Sequence, residues 1–296
     1  PSPSTSPEVM PTPDPFLWLE DVGGERALAW VRARNDVSTS QLAASERFGE
    51  LRQEILSILD STARIPYVQK HGEHYYNLWQ DAQNPRGLWR RTTLAQYRQA
   101  EPVWETVLDL DALGKTEGES WVWKGASWLL PERRRVLLSL SRGGADATVV
   151  REFDVVDKQF VADGFVLPEA KSSVAWRDRD HVYVGTDFGP ESLTASGYPR
   201  LVKLWRRGTP IGSAETLYEG QPDDVFVYAF RDQTKGFERD VLYRGVTFFT
   251  NEVFLLRDGK PVAIDKPDSA NASLHREWLL LELREDWLLG EQRHAA

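Results

Sequence analysis

Ser127 stands in Gly125-Ala126-Ser127-Trp128-Leu129, the chain's nearest approach to the G-x-S-x-G turn that lifts a serine hydroxyl clear for acyl transfer. Leu129 replaces the second glycine and the neighbours are β-forming, so a nucleophilic Ser127 is not expected. Gly114-Lys115-Thr116 imitates the end of a phosphate-binding loop, but Asp109 occupies the position of its first glycine, and the backbone cradle is missing. As a calcium loop, the same stretch has Asp109, Asp111 and Gly114 in place. Leu113 stands at the fifth position, and Ser120 stands where a bidentate carboxylate belongs. "DLDALGKTEGES" is therefore read as a polar turn between β units.

His71 and His74 in "HGEHYY" could form a metal pair, yet on one strand an offset of three puts them on opposite faces. His181, His275 and His294 are isolated, and a catalytic base among them would need a nucleophile nearby. Carboxylates cluster at Glu152 and Asp154, Asp178 and Asp180, Asp223 and Asp224, and Glu285 and Asp286. Arranged around an axis they could serve a glycosidase; at strand ends they are solvated turn residues, which is the expectation here. The twelve Trp could stack on sugars, but large aromatics at these positions read as inter-sheet core. No catalytic, cofactor-binding or metal-binding residue is assigned.

The elements that would carry these residues are mostly strands. In "YYNLWQDAQNPRGLWRRTTL", 75–94, aromatic-rich extended segments flank Gln83-Asn84-Pro85-Arg86-Gly87. Pro85 presets φ and Gly87 accepts positive φ, so the stretch is expected to be a hairpin. Comparable hairpin centres follow at Gly143, Gly189 and Asn251, spaced like the four-stranded units of about 40–50 residues found in propellers. A β-sandwich is the competing arrangement. Ahead of the strands, "DPFLWLEDVGGERALAWVRARN" reads as an apolar anchor, a Gly23-Gly24 break and a helix bearing Leu28, Trp30 and Val31. Ser45 can cap a second helix whose Phe48, Leu51, Ile55, Ile58 and Leu59 form one apolar face in need of a partner.

At 296 residues with 41% hydrophobic and 11% aromatic content, the chain can bury a large core. A net charge of -9 disfavours nucleic acid, which is held by clustered Lys and Arg. Without cysteine there is no disulfide framework and no thiolate chemistry. No apolar run reaches the ~18 residues of a membrane span, and residues 1–13, "PSPSTSPEVMPTP", read as a flexible tail without the apolar centre of a signal peptide. The only Met, Met10, is either the true start or follows a removed segment. The location is taken as cytoplasmic, or periplasmic if an upstream signal was removed.

"DPFLWLEDVGGERALAWVRARN", "YYNLWQDAQNPRGLWRR", "VLDLDAL", "LSLSRGGADATVVREFDV" and "TFFTNEVFLL" together resemble the amino-terminal half of prolyl oligopeptidase family serine peptidases. The resemblance implies a mainly β fold: part of a seven-bladed β-propeller, preceded by a short helical arm (14–63) that packs on an α/β-hydrolase domain. Residues 64–296 would be blades, at 65–118, 119–171, 172–224 and 225–269, with a fifth opening at "SLHREWLLLELREDWLLG". The family's nucleophile, acid and base follow the propeller, so no position of this chain inherits them and the chain alone is expected to hydrolyse nothing. The whole protein would cleave oligopeptides, after Pro or after basic residues, with the propeller as a size-selecting cap. No cofactor is implied; the hydrolase domain in cis is the implied partner, and open propeller edges imply self-association. The alternative is a stand-alone binding propeller of four or five blades; a propeller glycosidase comes third.

Overall fold

The computed structural model describes residues 14–296, so the tail at 1–13 lies outside the described residues. The chain divides into two compact units that meet between Arg64 and Ile65.

In the first unit a 3-10 turn, Leu17–Glu20, precedes α1 (Glu25–Leu42). The two are joined by Trp18, whose ring meets Trp30 edge-on at 6.3 Å and lies under the Arg26 guanidinium at 4.1 Å. α2 (Glu46–Leu59) starts as its sequence dictates: the Ser45 hydroxyl accepts the Phe48 N–H at 3.2 Å, satisfying one of the orphan donors of the first turn. The expected apolar stripe is present and uncovered; Phe48, Leu51, Ile55, Ile58 and Leu59 are all exposed, Ile58 at 67%. Among the described residues no helix is long and apolar enough to cross a membrane.

The second unit is built of antiparallel sheets whose strands follow chain order. The first sheet holds β1 (Gln69–His71), β2 (His74–Trp79), β3 (Leu88–Thr93) and β4 (Glu105–Asp109). A short α3 (Leu94–Tyr97) lies between β3 and β4, and α4 (Leu110–Glu117) leaves the sheet. The second sheet holds β5 (Trp121–Trp128), β6 (Arg135–Arg142), β7 (Thr148–Asp154), β8 (Gln159–Phe160) and β9 (Val166–Ala170), the last two both pairing with β7. The third holds β10 (Ser173–Trp176), β11 (His181–Gly185), β12 (Leu201–Arg206) and β13 (Glu215–Glu219). The fourth holds β14 (Phe226–Asp232), β15 (Arg239–Gly245), β16 (Asn251–Arg257) and β17 (Lys260–Ala263). Two hairpins close the chain, β18 (Asn271–His275) with β19 (Trp278–Glu282) and β20 (Trp287–Leu289) with β21 (Gln292–His294).

Each sheet buries one face on the next. Tyr76, Trp89 and Val107 of the first sheet pack with Val136, Leu138 and Phe153 of the second. Leu137, Val150 and Leu167 of the second pack with Trp176, Val182 and Trp205 of the third. Tyr183 and Val202 of the third pack with Val227, Ala229 and Leu242 of the fourth. This sequential face-to-face stacking of small meanders is propeller-like, and it explains the aromatic load: large rings fill the gaps between twisted sheets.

The 75–94 stretch is the central hairpin of the first sheet, with His74 opposite Thr93 and Trp79 opposite Leu88. Asp81 ties its turn, accepting from the Trp79 indole at 2.8 Å and from the Gln83 and Asn84 amides, and Gly87 takes φ +109. Three local expectations are corrected. "DLDALGKTEGES" is not a turn but α4, capped at its start by the Asp109 carboxylate on the Ala112 N–H and ended by Gly118 in the left-handed region. Asn251 is no hairpin centre; it opens β16, and the turn before it runs through Thr247 to Thr250. His71 and His74 do not sit on one strand: Gly72-Glu73 is a two-residue turn with Gly72 at φ +66, and the two histidines are direct cross-strand partners.

Candidate functional site

The connections between the first and second strands of successive sheets gather at one place. The β5–β6 loop (Leu129 to Arg134), the β10–β11 loop (Arg177 to Asp180) and the β14–β15 loop (Gln233 to Glu238) line a cavity of about 700 Å³. The Leu130 N–H donates to the Gln233 side-chain oxygen at 3.0 Å, linking the loops of the second and fourth sheets. The Trp176 indole donates to the Ser127 carbonyl at 2.9 Å, drawing the first strands of the second and third sheets together. Smaller cavities of about 270 and 500 Å³ also line the rim, and Arg179 contributes to all three.

Arginine dominates this rim, and a pair of buried carboxylates organises it. Glu152 on β7 is 2% exposed. Its carboxylate accepts the Phe165 N–H at 3.0 Å and both terminal nitrogens of Arg207, at 2.8 and 3.2 Å, so a residue of the second sheet holds the turn after β12 of the third. The outer edge of the second sheet is broken between β8 and β9, and that break frees the Phe165 amide which Glu152 satisfies. Asp154, also 2% exposed, accepts from Arg134 at 2.7 Å and from the Val156 and Asp157 amides at 2.9 and 3.0 Å; Arg135 adds a contact at 3.1 Å. Burial pushes the Asp154 carboxyl up, but the Asp157 and Val156 amides and the two guanidinia outweigh it and hold the group below the usual range. The sequence reading placed these carboxylates at solvated turns; the Arg207 guanidinium from the third sheet, and those of Arg134 and Arg135 at the start of β6 in the same sheet, let them be buried instead.

The other acidic candidates are divided. Asp224 is buried and grips Arg244 through both oxygens, at 2.8 and 2.9 Å, whereas Asp223 is exposed. Asp178 accepts from His181 Nδ1 at 2.9 Å and from Arg177 at 2.8 Å; Asp180 lies 3.7 Å from Arg207. Glu285 and Asp286 lie apart from this rim, near Ser269 and Arg293. Ser127 sits inside β5 opposite Leu137, not on a strand-to-helix turn. Asp111 accepts the Arg86 and Gly87 amides at 3.0 and 3.1 Å, closing the first sheet's hairpin, while Gly114, Lys115 and Thr116 lie within α4. The His71 ring stacks on Trp128 at 4.2 Å, and burial together with the nearby Arg133 lowers its pKa. No group of three or more metal-capable side chains occurs among the described residues.

What the sequence reading missed is the arginine set of the rim. Its signal is visible in retrospect: "ERRR" at 132–135 and "RDRD" at 177–180 each fall between two strands that the hydrophobic pattern marks.

A protein-family model described as the prolyl oligopeptidase N-terminal beta-propeller domain matches residues 4–274. An uncharacterized peptidase of Sinorhizobium fredii is 38% identical over 283 residues, covering 93% of this chain and 39% of that protein. One from Rickettsia prowazekii is 28% identical over 290 residues, covering 93% and 40%. Among solved structures, a post-proline cleaving enzyme from Rickettsia typhi superposes with a TM-score of 0.85 at 28% identity, over 91% of this chain and 41% of that one. Oligopeptidase B from Leishmania major superposes at 0.66 with 17% identity over 88% and 36%, a likeness of fold alone. This chain therefore spans about two-fifths of the length of the curated relatives it matches.

Proposed function

Because the chain belongs to the prolyl oligopeptidase family through its N-terminal β-propeller domain, we propose that it is the substrate-gating part of a serine oligopeptidase. In this reading residues 64–296 are part of a seven-bladed ring, and residues 14–63 form an arm for an α/β-hydrolase domain in cis. Hydrolysis, after proline, belongs to that domain, through a serine nucleophile with its acid and base. The propeller encloses the active site, admits short peptides and excludes folded proteins. The chain is inactive alone.

The observation that carries this reading is the 4–274 family match on a chain that covers only 39% of a 38%-identical peptidase. Post-proline cleavage rests on the Rickettsia typhi enzyme, which is described by that activity. The uncovered apolar stripe of α2 supports the arm, since five exposed apolar side chains on one face are rare on a finished surface.

The test is a graft. This chain replaces the matching region of the Rickettsia typhi enzyme, and cleavage of a short proline-containing peptide is compared with that of an unfolded protein such as casein. The expected result is turnover of the peptide, none of casein, and none of either by the 296-residue chain alone. Turnover by the chain alone overturns the reading.

A further inference from the structure

We propose that the Arg179 guanidinium is an anchor for a peptide carboxylate, either a chain terminus or an Asp or Glu side chain, at the junction of the three rim cavities. Arg179 lines the cavities of about 270, 500 and 700 Å³. The arginines that line these cavities with it are engaged, Arg134 with Asp154, Arg177 with Asp178, Arg207 with Glu152 and Arg231 with Asp240; Lys235, a point charge on the cavity of about 700 Å³, is the other cation there without an ion pair among the described residues. The Arg179 side chain has no hydrogen bond, ion pair or ring contact with any described residue.

Its backbone, by contrast, is held firmly. Arg207 donates to the Arg179 carbonyl from Nε at 3.1 Å and from Nη2 at 2.8 Å, and the Arg207 N–H donates to the Asp180 carbonyl at 2.7 Å. Asp178 closes the loop by accepting the Asp180 N–H at 2.9 Å. The same Arg207 is fixed by the buried Glu152, so the loop is ordered through the core while the side chain it presents stays free. A rigid loop offering a free planar fork of donors suits bidentate recognition of a carboxylate. Leu129, Leu130 and Pro131 supply apolar wall beside it, and a volume of about 700 Å³ is within the range of ligand sites.

Three carboxylates on these cavities oppose an anion, Glu238 on that of about 700 Å³, which accepts the Gly236 N–H, being one. Glu132 lines the cavities of about 270 and 700 Å³ and Asp163 lines that of about 500 Å³, and none of the three forms an ion pair with an arginine among the described residues. Glu132 therefore acts as a competitor, and removing its charge should strengthen binding.

The inference rests on the reading that this chain handles peptides, but binding is measured without turnover. A failure of the anchor and a failure of the peptidase reading thus give different results. The probes are hexapeptides of Ala and Gly with one central Pro and a neutral amino-terminal fluorophore. One ends as a free acid, one as an amide, and one as an amide with a single Glu; fluorescence anisotropy reads binding to the 296-residue chain. Arg179→Ala is expected to weaken binding of a carboxylate peptide about fivefold, the upper range for an exposed ion pair, with the difference shrinking at high salt. Glu132→Gln is expected to tighten it, and Arg52→Ala, an exposed charge in the helical unit, to leave it unchanged. Preference for the free acid over both amides assigns the chain terminus; binding of the Glu amide assigns the side chain. Equal binding of all three peptides, no binding of any, or equal effects of Arg179→Ala and Arg52→Ala overturn the proposal.

Discussion

Removing Arg207 would leave the 2%-exposed Glu152 with its Phe165 amide and a 3.7 Å contact to Arg135, and a buried carboxylate stripped of its main partner is expensive. Arg207→Ala is expected to cost about 3 kcal/mol in urea unfolding of the chain, and Glu152→Gln, which keeps an acceptor for Phe165, clearly less. Acid acts on the same kind of contact. Hydrogen bonding from Arg91 is the first reason Glu105 titrates at about 2 in place of 4.5, and Asp154 is also held low. Groups whose folded pKa lies below the unfolded value stabilise above the unfolded value and lose that contribution as pH falls through the folded one. Stability measured against pH is expected to decline from about 4.5 towards 2; Glu105, with its side chain 45% exposed, contributes the smaller share for its shift. Acidic residues such as Glu152 and Asp154 were legible as a cluster, but their burial was not. Burial depends on guanidinia from Arg134, Arg135 and Arg207, and no local pattern says that these residues converge.

Elements show where local sequence suffices. Ser45 and the apolar spacing after it announced α2, and the capping bond is present. Ser45→Ala is expected to cost the helix about 1 kcal/mol, read as lost helicity in circular dichroism. The stripe on α2 makes a sharper forecast. Ile55 and Ile58 are 55% and 67% exposed, so Ile58→Asp should leave the thermal midpoint of this chain unchanged. In the grafted enzyme it should lower peptidase activity, if the stripe is the arm's docking face. α4 escaped the sequence reading because eight residues containing Gly114 and three charges look like a turn, although Asp109 and Gly118 cap it at its two ends. The β1–β2 turn escaped for a related reason: "HGEHYY" lacks the Asn-Gly or Asp-Gly signal, so His71 and His74 read as one strand when they belong to two.

At the scale of the molecule, the mainly β fold with leading helices was legible because strand-length hydrophobic runs alternate with Gly, Pro and Asp breaks throughout 65–296. The side-chain packing between successive sheets was not, since it is made by contacts such as Trp89 with Phe153 and Phe165 with Trp205, between residues distant in sequence. The last hairpins keep apolar side chains in solvent, with Trp278 61%, Leu280 55% and Leu288 67% exposed. Sedimentation of this chain is therefore expected to show concentration-dependent self-association, reduced by Leu280→Lys together with Leu288→Lys. The central claim concerns the division of labour between this propeller-like chain and a catalytic serine outside it. Its most direct test is to label the native protein from its source cell with a serine-directed fluorophosphonate and to map the adduct by peptide mass. The account predicts a single labelled serine outside these 296 residues; an adduct on a serine within them, Ser127 included, would contradict it.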